Sequence, residues 1–125
     1  MNIQYLVGRV VKEIVGGVGE EEMRLIFSDG TVAEFYHPQD CCEYVRIEDI
    51  EGDLEDLVGE TLVVAEEVSN SDAPEGFDTD KYDKWDDSHT WTFYRFATNK
   101  GWVVVRWLGE SNGYYSESVS LVIHD

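Results

Sequence analysis

Alternation of side chains constrains this chain more than any other feature. In "MRLIFSDGTVAEFYH" apolar residues recur at every second position on both sides of Asp29-Gly30. A period of two sends successive side chains to opposite faces of a strand, so the stretch reads as a hairpin turning at Asp29-Gly30. Its register follows from the faces. A loop of Ser28, Asp29 and Gly30, with glycine in the left-handed position, pairs Phe27 with Thr31, Leu25 with Ala33 and Met23 with Phe35. Met23, Leu25, Phe27, Ala33 and Phe35 then share one apolar face, and Arg24 meets Glu34 on the other. A shorter loop would set Glu34 beside Leu25, and a one-residue slip exchanges the faces of a whole strand.

A second hairpin is expected in "HTWTFYRFATNKGWVVVRWLG", with Asn99-Lys100-Gly101 as a loop of the same kind. That register groups Trp91, Phe93, Val103, Val105 and Trp107 on one face, with Phe93 opposite Trp107. Tyr94, Phe96, Trp102, Val104 and Arg106 occupy the other. Both faces are apolar, which suits a central place in a sheet. "VGRVVKEIV", "GETLVVAEEV" and "YSESVSLVIH" read as further strands. "GDLEDLVG" is the best helix candidate, with Asp53 as cap and Gly59 as stop. Residues 69–88 read as a mobile acidic loop. The expected fold is mainly β, α+β at most. It is an antiparallel sheet, small sandwich or partly open barrel of about seven to eight strands with one short helix, forming a single domain over residues 1–125.

Charge narrows the partners. The chain has 27 Asp and Glu against 9 Lys and Arg, a formal charge of −18. Nucleic acid and anionic membranes should repel it, and basic proteins and cations should be drawn to it. No window approaches about 18 consecutive apolar residues, so no membrane helix is expected. The first residues lack the basic segment and small-residue cleavage site of a secretory signal. Two adjacent cysteines make no disulfide framework, which favours a reducing, cytoplasmic setting. The acids fall in two clusters. One holds Glu48, Asp49, Glu51, Asp53, Glu55 and Asp56. The other holds Asp78, Asp80, Asp83, Asp86 and Asp87.

The stretch "HPQDCCEYV" carries the residue types of a metal or redox site. His37, Cys41, Cys42 and the distant His89 are weak metal candidates. Adjacent cysteines in an extended segment point to opposite sides, so they rarely serve one ion together. Their Cα atoms, about 3.8 Å apart across a trans peptide, also lie too close for an ordinary disulfide. Asp40 and Glu43 disfavour a thiolate. No nucleophile elbow, phosphate-cradling loop or EF-hand spacing occurs. The expectation is therefore no enzyme and no cofactor, with weak divalent-cation binding by the second acidic cluster as an alternative.

Several runs together carry a resemblance: Gln-Asp-Cys-Cys-Glu at 39–43, Asp-Ile-Glu-Gly-Asp-Leu at 49–54, Thr-Trp-Thr-Phe-Tyr at 90–94 and Ser-Asn-Gly-Tyr-Tyr-Ser-Glu at 111–117. By these the chain resembles a family of small uncharacterised proteins of phage and prophage genomes. The resemblance implies a virus-encoded or virus-derived accessory protein. It brings no catalytic residues with it.

Two functions are expected from these features. In the first, the acidic clusters bind or inhibit a basic host protein, imitating a DNA backbone that carries about one charge per 1.7 Å of axis. In the second, Tyr94, Trp102, Arg106, Asn112, Tyr114 and Tyr115 form an aromatic site for a nucleotide-type small molecule. The sequence leaves self-association open.

Overall fold

The computed structural model describes residues 2–39, 43–71, 88–111 and 116–125. The described residues form eight strands in two antiparallel sheets, mainly β as expected. The strands are β1 (Val11–Val15), β2 (Glu22–Phe27), β3 (Val32–Tyr36), β4 (Glu43–Glu51), β5 (Val64–Asn70), β6 (Ser88–Thr98), β7 (Gly101–Ser111) and β8 (Ser120–His124). The first sheet runs β1-β2-β3-β8 and the second β4-β7-β6-β5. Their inner faces pack against each other. Phe35 of the first sheet meets the ring of Tyr94 in the second edge-on, with centroids 4.7 Å apart.

The β2–β3 hairpin has the register that its single apolar face requires. Met23 lies opposite Phe35, Leu25 opposite Ala33, and Arg24 opposite Glu34. The Phe27 amide donates to the Thr31 carbonyl at 2.9 Å, closing the three-residue loop, and Gly30 takes the left-handed φ of +92°. Met23, Leu25, Phe27, Ala33 and Phe35 are all buried in the core. Across the outer face Arg24 pairs with Glu22 at 3.0 Å, and Glu34 faces His124 at 3.6 Å.

The β6–β7 hairpin differs from expectation by one residue. Thr98 lies opposite Gly101, so Asn99-Lys100 alone form the turn. Phe96 then faces Val103, Tyr94 faces Val105 and Thr92 faces Trp107. Tyr94, Phe96, Val103, Val105 and Trp107 enter the core, whereas Phe93 and Trp102 lie on the outer face. Phe93 is opposite Arg106, not Trp107. Two apolar faces gave alternation nothing to choose between. Packing against Phe35 and the tie from the Thr98 hydroxyl to the Asp56 carbonyl (2.7 Å) accompany the observed register.

The acidic stretch after residue 43 is a nine-residue strand, β4. Val45 and Ile47 point inward and a bulge lies between Ile47 and Asp49. The expected helix is a 3-10 turn, Leu54–Asp56, capped by the Asp53 carboxylate on the Glu55 amide at 3.0 Å. A second 3-10 turn, Ile3–Leu6, was not anticipated; it packs on β5 with Ile3 and Leu6 buried. Strand β5 continues through Asn70 and β6 begins at Ser88, so the expected 69–88 loop loses both ends to strand; residues 72–87 lie outside the described residues. Among the described residues no helix is long and apolar enough to cross a membrane.

Backbone bonds tie the sheets together on the side of β1. The Gly19 amide donates to the Ile47 carbonyl at 2.8 Å and the Ile47 amide to the Glu20 carbonyl at 2.9 Å. Residues 59–62 run against residues 8–11 before the chain enters β5, with Val10 bridged to Thr61. Away from β1, the edge strands β5 and β8 line a cleft.

Candidate functional site

The β1–β2 loop and β4 together build an acidic rim. Gly16 allows it. Its φ is +115°, and a Cβ there would stand 2.7 Å from the Glu22 carbonyl oxygen. The loop therefore folds tightly, and its bonds to Ile47 carry Glu20 and Glu21 to the flank of Glu48. The glutamates at 20–22 fall outside both acidic clusters of the sequence. The long-range backbone pairing that joins them to β4 leaves no local signal.

The six carboxylates expected in this region are not equivalent. Glu48 Oε2 accepts from Arg106 at 2.5 Å, and Asp49 lies 3.6 Å from the same guanidinium. Asp53 caps the 3-10 turn. Asp56 is half-buried, with its carbonyl engaged by Thr98. Glu51 and Glu55 are exposed, as are Glu20 and Glu21. The rim thus presents charge to solvent through Glu20, Glu21, Glu51, Asp53 and Glu55, while Arg106 offsets its inner part. Asp78, Asp80, Asp83, Asp86 and Asp87 lie outside the described residues.

The expected aromatic site divides between the two faces of one sheet. Tyr94 is wholly buried, and its hydroxyl donates to Glu67 Oε1 at 3.2 Å. Burial, reinforced by the Glu67 charge, pushes its phenol far above the ordinary range. Trp102 is on the opposite face and 58% exposed. Arg106 shares that outer face, lying over the Trp91 ring at 5.4 Å and holding Glu48. The structure therefore does not bring Tyr94 together with Trp102 and Arg106. Asn112, Tyr114 and Tyr115 lie outside the described residues.

The opening of β4 holds a buried polar knot. His37 Nδ1 is 2.7 Å from the Ser118 carbonyl, and Nε2 is 3.0 Å from Glu43 Oε1. Both side chains are nearly inaccessible, 4% and 2% exposed. A carbonyl only accepts, so Nδ1 carries a hydrogen. One more hydrogen must lie between Nε2 and the carboxyl, which makes a pair whose charges or protons match. Nearby, Glu117 accepts from the Thr90 hydroxyl at 2.9 Å and from the Ser111 hydroxyl. Glu110, opposite both Tyr44 and His89, is held by Arg46 at 3.3 Å. Its Oε1 has no hydrogen-bond partner among the described residues. Both nitrogens of His37 are thus engaged by protein groups. Among the described residues no three His, Cys, Asp or Glu side chains are placed to hold a metal ion. Cys41 and Cys42 lie outside those residues.

These features define a two-sheet antiparallel β protein with an acidic rim and a buried His–Glu knot. Residues 4–121 match the model of a domain of unknown function (DUF7448), and the chain belongs to that family. No curated protein and no solved structure matches it.

Proposed function

We propose that the chain is a non-enzymatic acidic binding protein whose rim docks on a basic surface of a partner protein. On this reading it is a phage-type accessory protein acting on a cytoplasmic host protein, and its carboxylates stand where a DNA backbone would lie. The observation that supports this most is the pair of backbone bonds between Gly19, Glu20 and Ile47. They merge two acidic stretches, distant in sequence, on one side of a stiff β frame. Carboxylates held on a frame lose less freedom on binding than those of a flexible tail.

The test is a pull-down with the full chain at low salt, followed by a salt titration. Partner binding should weaken steeply as salt rises. A variant carrying Glu20→Gln, Glu21→Gln, Glu51→Gln and Glu55→Gln should bind about tenfold more weakly at low salt and show a shallower salt slope. Duplex DNA should compete for the same partner. Binding indifferent to both salt and these substitutions removes the proposal.

A further inference from the structure

We infer that the cleft between β5 and β8 is a second docking site, which receives an extended peptide segment bearing a basic side chain, added as a strand to β5. The inference rests on the reading of the chain as a binding protein and supplies a second mode of contact. The cleft has a volume of about 730 Å³. Its walls include Glu66, Glu67 and Val68 of β5 and Leu121 of β8, both edge strands. Ile3 and Val119, both buried, also line it, together with the polar Asn2 and Gln4.

Three features select the occupant. First, among the described residues β5 has backbone hydrogen-bond partners between Ala65 and Ser69 only on β6. Its other edge is a template for one more strand. Glu66, Glu67, Val68 and Ser69 are exposed, and the N-terminal 3-10 turn packs on this strand without adding backbone bonds to that stretch. Second, among the described residues none that lines the cleft is basic, whereas two are glutamates. Third, Glu67 is aimed. It lies opposite Tyr94 in the sheet register, and the buried phenol donates to its Oε1. That bond leaves Oε2 as an oriented acceptor at the cleft wall. A carboxylate fixed by a buried donor binds a lysine or arginine with less ordering cost than one swinging in solvent.

The experiment is selection of a displayed random peptide library on the immobilised full chain, followed by measurement on the synthetic winners. Enriched peptides should alternate apolar residues around a lysine or arginine. They should slow amide exchange along residues 65–69 and lose binding when alternate backbone nitrogens are methylated. Glu67→Gln should weaken them about tenfold. Tyr94→Phe, which keeps the ring packed on Phe35, should weaken them less, and Glu66→Gln separates the two carboxylates. The rim variant Glu20→Gln with Glu51→Gln should bind these peptides as well as the parent chain, so failure of the rim reading and failure of this one are told apart. No enrichment overturns the inference. So do winners that tolerate both backbone methylation and Glu67→Gln, or that protect a different strand.

Discussion

Gly109 lies directly beneath the backbone of Glu117: a Cβ at Gly109 would stand 2.5 Å from the Glu117 carbonyl oxygen and 2.7 Å from its Cβ. Glu117 therefore crosses the inner face of β7 where only glycine leaves room. Gly109→Ala should lower stability by about 1–3 kcal/mol, the usual cost of forcing a methyl group into a packed site. Urea denaturation reads the effect. An unchanged midpoint would mean that residues 116–119 do not cross there.

The His37–Glu43 pair predicts strong coupling. Removing one side chain takes from the other a buried bond partner, at a cost of up to about 3–5 kcal/mol. His37→Leu and Glu43→Leu should each be severe, and the double variant should cost much less than their sum. A double-mutant cycle by chemical denaturation checks this. Strict additivity would show that the two side chains do not meet.

Register of the β6–β7 hairpin has its own signature in the mutational costs. With Thr98 opposite Gly101, Phe96 is core and Phe93 faces outward. Phe96→Ala should cost about 3–5 kcal/mol, and Phe93→Ala distinctly less. Trp107→Ala should likewise exceed Trp102→Ala, since Trp102 is 58% exposed. Phe93→Ala proving costlier than Phe96→Ala would restore the three-residue turn.

Tyr94 makes stability sensitive to alkaline pH. Burial first, then the charge of Glu67, raises its phenol above the ordinary 10.0. The folded chain keeps this proton where the unfolded chain releases it. The associated stability is fully present below 10.0 and is lost as pH rises beyond it. Tyr94→Phe should therefore flatten the fall in denaturation midpoint between about pH 10 and 12. Identical slopes in parent and variant would mean that Tyr94 titrates like an exposed tyrosine.

Legibility in the sequence tracked how asymmetric each strand is. The β2–β3 hairpin was readable to the residue because Arg24 and Glu34 forbid the alternative faces. The β6–β7 hairpin was not, because Phe93 and Phe96 are equally apolar and only tertiary packing separates them. Strand β4 was concealed by Glu48 and Asp49, whose charges read as part of an acidic cluster. The bulge after Ile47 breaks the alternation of Val45, Ile47 and Ile50 that would have exposed it. In the rim, Glu48 to Asp56 were visible as a cluster, but the approach of Glu20 depends on a loop whose partner is 27 residues away in sequence (47 − 20). The link from Glu67 to Tyr94 spans 27 residues of chain and leaves no local trace.

The backbone stitching near Ile47 gives the molecule a mechanical asymmetry. The two layers are bound by main-chain bonds along β1 and meet across a gap between β5 and β8. Thermal breathing should then resemble the opening of a book from its unbound margin, with β5 and β8 parting before β1 and β4 do. The amides of Gly19 and Ile47, both bonded across the layers, should be among the slowest to exchange. A guest lodged in the open margin would act as a clasp, raising the melting temperature of the whole fold across a margin where, among the described residues, no main-chain bond joins β5 to β8.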